Sequence, residues 1–191
     1  MEIRSFLAFE LPPELKQILS GVRGEMRSLP LDVRWVRVKN IHLTVVFLGN
    51  LSPERLKVLG EVAEAVCGQY GPFRVSLKGM GVFANKRNPR ILWIGLDGDL
   101  ERMSRFRDQL NVRMRPLGIK MEKRTFRPHL TLGRFRKGAK PRGDWYKLIS
   151  TYEELASPAC TLRELVLFRS DLHPSGAVYS RLSAWPLCGT A

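Results

Sequence analysis

Cysteine is scarce in this chain. The three that occur, Cys67, Cys160 and Cys188, are odd in number, far apart and without a C-x-x-C pair. That argues against a disulfide scaffold or a structural zinc site and leaves buried or idle thiols. Long apolar runs are missing as well. The segment behind Met1 turns polar at Glu10, too short for a membrane span and without a signal-peptide layout. A cytoplasmic location with no membrane partner is the expectation. Acids are in deficit: 18 Asp and Glu face 32 Lys and Arg, a formal net charge of +14 and a pI near 10.3. Such a balance attracts polyanions, nucleic acid first, although a basic surface defines no site by itself. Histidine occurs only three times. No nearby cluster of carboxylates or cysteines joins these residues, so neither a metal nor a cofactor is expected.

What remains is an ordinary globular composition, 44% hydrophobic and 26% charged over 191 residues, sized for one domain or two tightly joined lobes. Two of the three histidines sit in echoing tetrads, His42-Leu43-Thr44-Val45 and His129-Leu130-Thr131-Leu132. Polar and apolar residues alternate in both, the pattern of a half-buried strand. Residues two apart share a face of a strand. His42 and Thr44 therefore point one way, His129 and Thr131 likewise, and the four apolar residues point into the interior. If the two polar faces meet across a cleft, two imidazoles and two hydroxyls converge, a set suited to acid–base chemistry on a phosphate. One such tetrad is weak evidence, since Thr is a common strand residue. Two in one modest chain are stronger.

The rest of the chain alternates strands and helices. Ile3 to Phe9 reads as a buried strand. Pro12-Pro13 opens a helix with the stripe Leu15, Ile18, Leu19, Val22 and Met26. Arg34 to Val38 looks like a strand edge, and Ile41 to Leu48 is the first motif strand. Ser52-Pro53-Glu54 starts a helix with Leu56, Leu59, Val62, Ala63 and Val66 on its buried side. Phe73 to Phe83 and Ile91 to Leu96 form a hairpin around a basic turn. Gly79 and Gly81 mark a bulge or a close backbone approach. Asp99 caps a third helix whose apolar positions run from Leu100 to Leu117, while Arg102, Arg105, Arg107, Arg113 and Arg115 read as a solvated face. After Lys120 to Arg127 comes the second motif strand, His129 to Phe135, then a basic loop from Arg136 to Arg142. A short helix carries Trp145, Leu148, Ile149, Tyr152 and Leu155. Cys160 to Phe168 is one strand, Asp171 to Gly176 a loop and Ala177 to Leu187 a last strand. The order predicts an α+β fold with mainly antiparallel sheets. The 87 residues separating His42 from His129 hint at two equivalent lobes.

The sequence resembles the two-histidine phosphoesterases, and within them the RNA 2′,3′-cyclic phosphodiesterases, also known as bacterial and archaeal 2′-5′ RNA ligases. The likeness is carried by Trp35-Val36-Arg37, Asn40-Ile41-His42-Leu43-Thr44 with Phe47-Leu48-Gly49, and Lys78-Gly79-Met80-Gly81-Val82-Phe83. It continues through Pro89-Arg90-Ile91-Leu92-Trp93, Phe126-Arg127-Pro128-His129-Leu130-Thr131-Leu132-Gly133-Arg134 and Ser175-Gly176-Ala177-Val178-Tyr179. These segments span nearly the whole chain; Arg136 to Leu155 matches less distinctly. The resemblance implies one domain over residues 1–191. It has two pseudo-symmetric lobes, mainly antiparallel sheets with helices on their outer faces, and a basic cleft between them. It also implies metal-independent opening of a terminal 2′,3′-cyclic phosphate on RNA to a 2′-phosphate, with reversible 2′-5′ ligation as a further capacity.

On that likeness His129 is the proton acceptor that activates water and His42 the proton donor to the departing 3′ oxygen. The residues alone say only that there are two imidazoles, each with a pKa near working pH. Thr44 and Thr131 are expected to donate to the non-bridging oxygens. Arg127 sits in an extended stretch before Pro128 and is a candidate phosphate ligand. Alternation puts Arg134 on the face opposite His129, which favours a rim or structural role. Tyr179 suits stacking on a base or contact with the phosphate, or a place in the core. Phe9, Phe47 and Trp93 read as packing residues and His173 as a loop histidine without a role. The expected partner is RNA ending in a 2′,3′-cyclic phosphate or holding a 2′-5′ linkage, bound by a monomer. The competing readings are a noncatalytic RNA-binding module, a metal hydrolase, and a phosphodiesterase for small cyclic nucleotides or 2′-5′ oligonucleotides.

Overall fold

The computed structural model describes residues 2–29, 31–85, 88–119, 125–139, 145–174 and 176–190, the side chains of Asn85 and Leu148 aside. Strand β1 (Ile3–Glu10) leads to helix α1 (Pro13–Arg27), β2 (Val33–Trp35), a 3₁₀ turn at Val38–Asn40, β3 (His42–Leu51), α2 (Pro53–Cys67) and β4 (Phe73–Asn85). Then follow β5 (Asn88–Gly98), α3 (Leu100–Met114), a 3₁₀ turn at Arg115–Leu117, β6 (His129–Phe135), α4 (Trp145–Ser150), β7 (Cys160–Leu162), β8 (Glu164–His173) and β9 (Gly176–Pro186).

The strands pair antiparallel in the order β7-β4-β5-β6-β3-β1-β8-β9, with β2 alongside β6. The fold is α+β, as the sequence predicts. The two expected sheets are halves of this one path, and the seam between them is narrow. Strands β3 and β6 meet at a single pair, Leu43 with Leu130. Outward from the seam run β6, β5 and β4 on one side and β3, β1 and β8 on the other.

One face of the sheet holds the main core. Leu43, Val45, Leu130 and Leu132 are buried there with Leu15, Leu19, Val22 and Met26 of α1, Leu59, Ala63 and Val66 of α2 and Met103, Phe106, Leu110 and Met114 of α3. Each of these side chains except that of Ala63 contributes about 1.5–3 kcal/mol through removal from water. The helices start where the sequence places them. Pro13 opens α1, and the Ser52 hydroxyl accepts from the Arg55 N–H at 3.4 Å at the head of α2. A small second cluster, Phe6, Ala8, Val166 and Phe168, lies apart from the main core, with Tyr179 and Ala184 packed against it.

Several local expectations change. The run from Cys160 to Phe168 is two strands broken at Arg163: β7 joins β4 at one edge, and β8 joins β1 in the other half. Asp171 to Gly176 is mostly hairpin rather than loop, and His173 is an exposed strand end paired with Gly176. Gly176 takes φ 120°, a turn geometry open to glycine. Arg107 leaves the solvated face of α3. It is 7% exposed with its guanidinium 5.3 Å from the Phe126 ring centre. Cys67 is buried, but Cys188 is exposed. Residues 120–124 and 140–144, part of two expected basic stretches, lie outside the described residues.

Candidate active site

The seam places the two tetrads together. In an antiparallel pair centred on Leu43 and Leu130, the neighbours fall as His42 across from Thr131 and Thr44 across from His129. The leucines are fully buried and the four polar side chains half-buried. With one shared rung, the four polar side chains stand close on either side of the seam.

Both imidazoles are anchored alike. His42 Nδ1 donates to the Asn40 carbonyl at 2.8 Å, and His129 Nδ1 donates to the Arg127 carbonyl at 2.7 Å. A carbonyl oxygen only accepts, so Nδ1 carries the hydrogen and Nε2 of the neutral ring keeps its lone pair. Their walls differ. Phe6 stacks on His42 with centroids 4.7 Å apart, Tyr179 meets it edge-on at 5.2 Å and Phe168 lies at 6.2 Å. His129 meets Phe83 edge-on at 4.7 Å.

Burial sets the electrostatics. Desolvation pushes the His42 pKa down to about 4, with smaller lowering from the charges of Arg134 and His129 against a raising hydrogen bond to Asn40. His129 is lowered too, first by desolvation and then by Arg134. Near neutrality both rings are uncharged, each with a basic Nε2.

The effect of Arg134 on both rings corrects its sequence assignment. Strand β6 carries a bulge against β5: Trp93 pairs with Thr131 but Leu92 pairs with Gly133, and Leu132 is left over. The extra residue shifts the alternation by one. Leu132 and Gly133 are both buried, and Arg134 emerges exposed on the histidine face. Strand β3 has the matching bulge, with Ala8 on Thr44, Leu7 on Val46 and Val45 skipped. It delivers Phe47 to the corresponding place. Phe47 is 64% exposed, its ring 6.2 Å from that of Phe6, so it is not the packing residue expected.

The other candidates divide. Phe9 is fully buried, as expected. Tyr179 stands half-buried against Phe6 and His42. The Arg127 side chain is exposed, and its link to the site is the carbonyl that holds His129. Trp93 lies flat over Gly81, where a Cβ would come within 2.4 Å of its Cζ2, which is the close approach the glycine signals. Its indole Nε1 is buried without a hydrogen-bond partner. Sequence reasoning missed Asn40, whose carbonyl orients His42 and whose side-chain Nδ2 donates to the Ala177 carbonyl at 2.9 Å. The signal was its place two residues before a histidine, the place Arg127 holds before the other. Phe6, Phe83 and Phe168 gave no signal beyond strand-like apolarity. Among the described residues no group of three or more His, Cys, Asp or Glu side chains is placed to hold a metal ion, and no helix is long and apolar enough to cross a membrane.

The family model described as LigT-like phosphoesterase matches the chain twice, over residues 9–93 and 94–179, one histidine tetrad in each. An RNA 2′,3′-cyclic phosphodiesterase of Methanothermobacter thermautotrophicus is 30% identical over 187 residues, covering 98% of this chain and 100% of its own. One from Archaeoglobus fulgidus is 28% identical over 182 residues, covering 94% and 98%. Among solved structures, a Thermus thermophilus protein superposes with TM-score 0.82 at 27% identity, covering 99% of this chain and 100% of that one. Escherichia coli LigT complexed with 3′-AMP gives 0.77 at 25% identity, covering 98% and 99%.

Proposed function

The chain belongs to the LigT-like phosphoesterase family, and from that premise we propose that it opens 2′,3′-cyclic phosphate ends of RNA to 2′-phosphates by metal-independent acid–base catalysis. The observation that carries the reading is the pair of Nδ1-anchored imidazoles on either side of the seam. The relatives' names supply the substrate, and one of the superposing structures, LigT, is complexed with the nucleotide 3′-AMP.

In the proposed step the His129 Nε2 takes a proton from water, whose oxygen attacks phosphorus. The P–O3′ bond breaks, and His42, protonated at both nitrogens, gives its Nε2 proton to the departing O3′. Thr44, Thr131 and Arg134 donate to the non-bridging oxygens as charge develops there. Among the described residues neither Thr hydroxyl has a protein partner. A ribose 5′ hydroxyl in place of water makes a 2′-5′ linkage by the same geometry. Tyr179 and Arg127 border the substrate, and the enzyme works as a cytoplasmic monomer.

The pKa directions give the proposed mechanism its expected pH behaviour. The competent free form has His42 charged and His129 neutral. With His42 at about 4 and His129 below its ordinary value, kcat/KM is a bell peaking below pH 6.5. A bound phosphate anion raises both pKa values, so kcat, which reports the complex, peaks at higher pH. A kcat/KM independent of pH from 4 to 9 contradicts the mechanism. The direct test incubates the purified protein, under chelator, with RNA ending in a 2′,3′-cyclic phosphate and identifies the product. A 2′-phosphate is expected; a 3′-phosphate or no turnover overturns the reading.

A further inference from the structure

A hollow opens beside His42. It holds about 160 Å³ and is lined by Arg37, Lys39, Asn40, Ala177, Val178 and Tyr179. Its walls are the 3₁₀ turn ahead of β3 and the first residues of β9, tied by the Asn40 Nδ2 bond to the Ala177 carbonyl. The same Asn40 holds the His42 ring through its carbonyl, and Tyr179 borders both the hollow and that imidazole. The hollow and the proposed acid are therefore built from shared parts.

Its chemistry points to an anion. Arg37 and Lys39 are exposed, and neither has an ion-pair partner among the described residues. Glu10 and Glu164 are occupied with Arg181. The volume is well below the roughly 300–1,000 Å³ of a site for a drug-sized ligand, so it suits one charged group rather than a whole nucleotide. Arg and Lys are the side chains that hold RNA phosphates.

The reaction geometry says which phosphate. In an in-line displacement water enters from the His129 side, and the leaving O3′ is on the His42 side. That oxygen stays on the terminal ribose, so the ribose and the strand leading to it lie toward His42. We infer that the Arg37–Lys39 hollow binds the phosphodiester preceding the terminal nucleotide, making the preferred substrate an RNA of two or more nucleotides over a free cyclic mononucleotide. This rests on the acid role given to His42 above.

The test measures kcat/KM at low salt for three substrates: adenosine 2′,3′-cyclic phosphate, a diadenosine ending in the same cyclic phosphate, and that dinucleotide with a neutral methylphosphonate linkage. The wild type favours the charged dinucleotide over both others by at least about tenfold, the worth of one charge-assisted contact. In the Arg37→Gln/Lys39→Gln variant this advantage collapses, while the cyclic mononucleotide is turned over within about twofold of wild type. Equal handling of charged and neutral linkages by the wild type overturns the subsite without recourse to any variant. So does a variant that keeps the full preference for the charged linkage, or one that loses mononucleotide turnover in the same proportion. Failure of the wild type on all three substrates instead sinks the phosphodiesterase reading itself.

Discussion

The two halves of the sheet repeat one backbone and decorate it differently. Pairing of β1 with β3 and of β5 with β6 follows the same register, down to the skipped residues Val45 and Leu132. On that shared frame, Ala8 opposes Thr44 where Trp93 opposes Thr131, and Val166 stands beside Ala8 where Gly81 stands beside Trp93. After the bulge one half presents Phe47 and the other Arg134. His42 is walled by three aromatic rings, His129 by Phe83. The backbone repeat fixes where the reactive groups stand; the side chains around them bury both imidazoles, His42 the more deeply, while Arg134 acts on both. The proposed mechanism gives these equivalent positions opposite roles in proton transfer.

The largest expected effect tests those roles. His42→Ala and His129→Ala each lower kcat by about 10²–10⁴-fold, the range for a positioned acid or base. A substrate with sulfur in place of the bridging 3′ oxygen needs no protonated leaving group. It restores turnover to His42→Ala and leaves His129→Ala impaired. Rescue of both variants, or of neither, removes the distinction between the halves.

Next comes stability. Gly81→Val copies the Val166 side into the other half, and the added Cβ meets the Trp93 ring. Unfolding in urea should show a loss of about 1–3 kcal/mol, relieved in part when Trp93→Ala is added. Additive losses in the double variant would mean the glycine does not serve the indole.

A smaller, directional effect concerns the paired post-bulge positions. Arg134 lowers the pKa of both histidines. Arg134→Gln therefore raises both, and the kcat/KM optimum moves to higher pH as maximal activity falls. Phe47→Arg adds a cation at the matching place and moves the pKa values down. Titration of the histidine ring signals by NMR checks both signs. The smallest effect is on folding: Phe47→Ala changes stability by less than about 0.5 kcal/mol because the ring is largely exposed, whereas Phe6→Ala costs about 3–5 kcal/mol. Equal costs would return Phe47 to the core.

Much of this was legible before the structure. Period-two alternation put His42 with Thr44 and His129 with Thr131, and proline, serine and apolar spacing started the helices correctly. What failed was any inference that carried alternation past a bulge. Arg134 was assigned to the wrong side because one unpaired residue inverts the count, the same kind of shift exposes Phe47, which reads as a packing residue, and nothing in Val45 or Leu132 marks it. Strand partners were also hidden. Cys160 to Phe168 alternates continuously, yet Arg163 divides it between opposite halves of the sheet, a choice made by distant pairing. Asn40 carried only a positional signal as a site residue, because it orients His42 through a carbonyl, which every residue has.

The strand order also governs when the site can exist during synthesis. Strands β4 and β5 are adjacent in the chain and β6 follows after α3, but β1 gains its second neighbour only from β8, and the Tyr179 edge of His42 comes later still. Domain elements emerge from the ribosome in order, and long-range pairings close last. A nascent chain halted near residue 150 therefore carries both imidazoles and the Phe6 stack but lacks the Phe168 and Tyr179 rings around His42, and enzymatic competence arrives with the C-terminal hairpin.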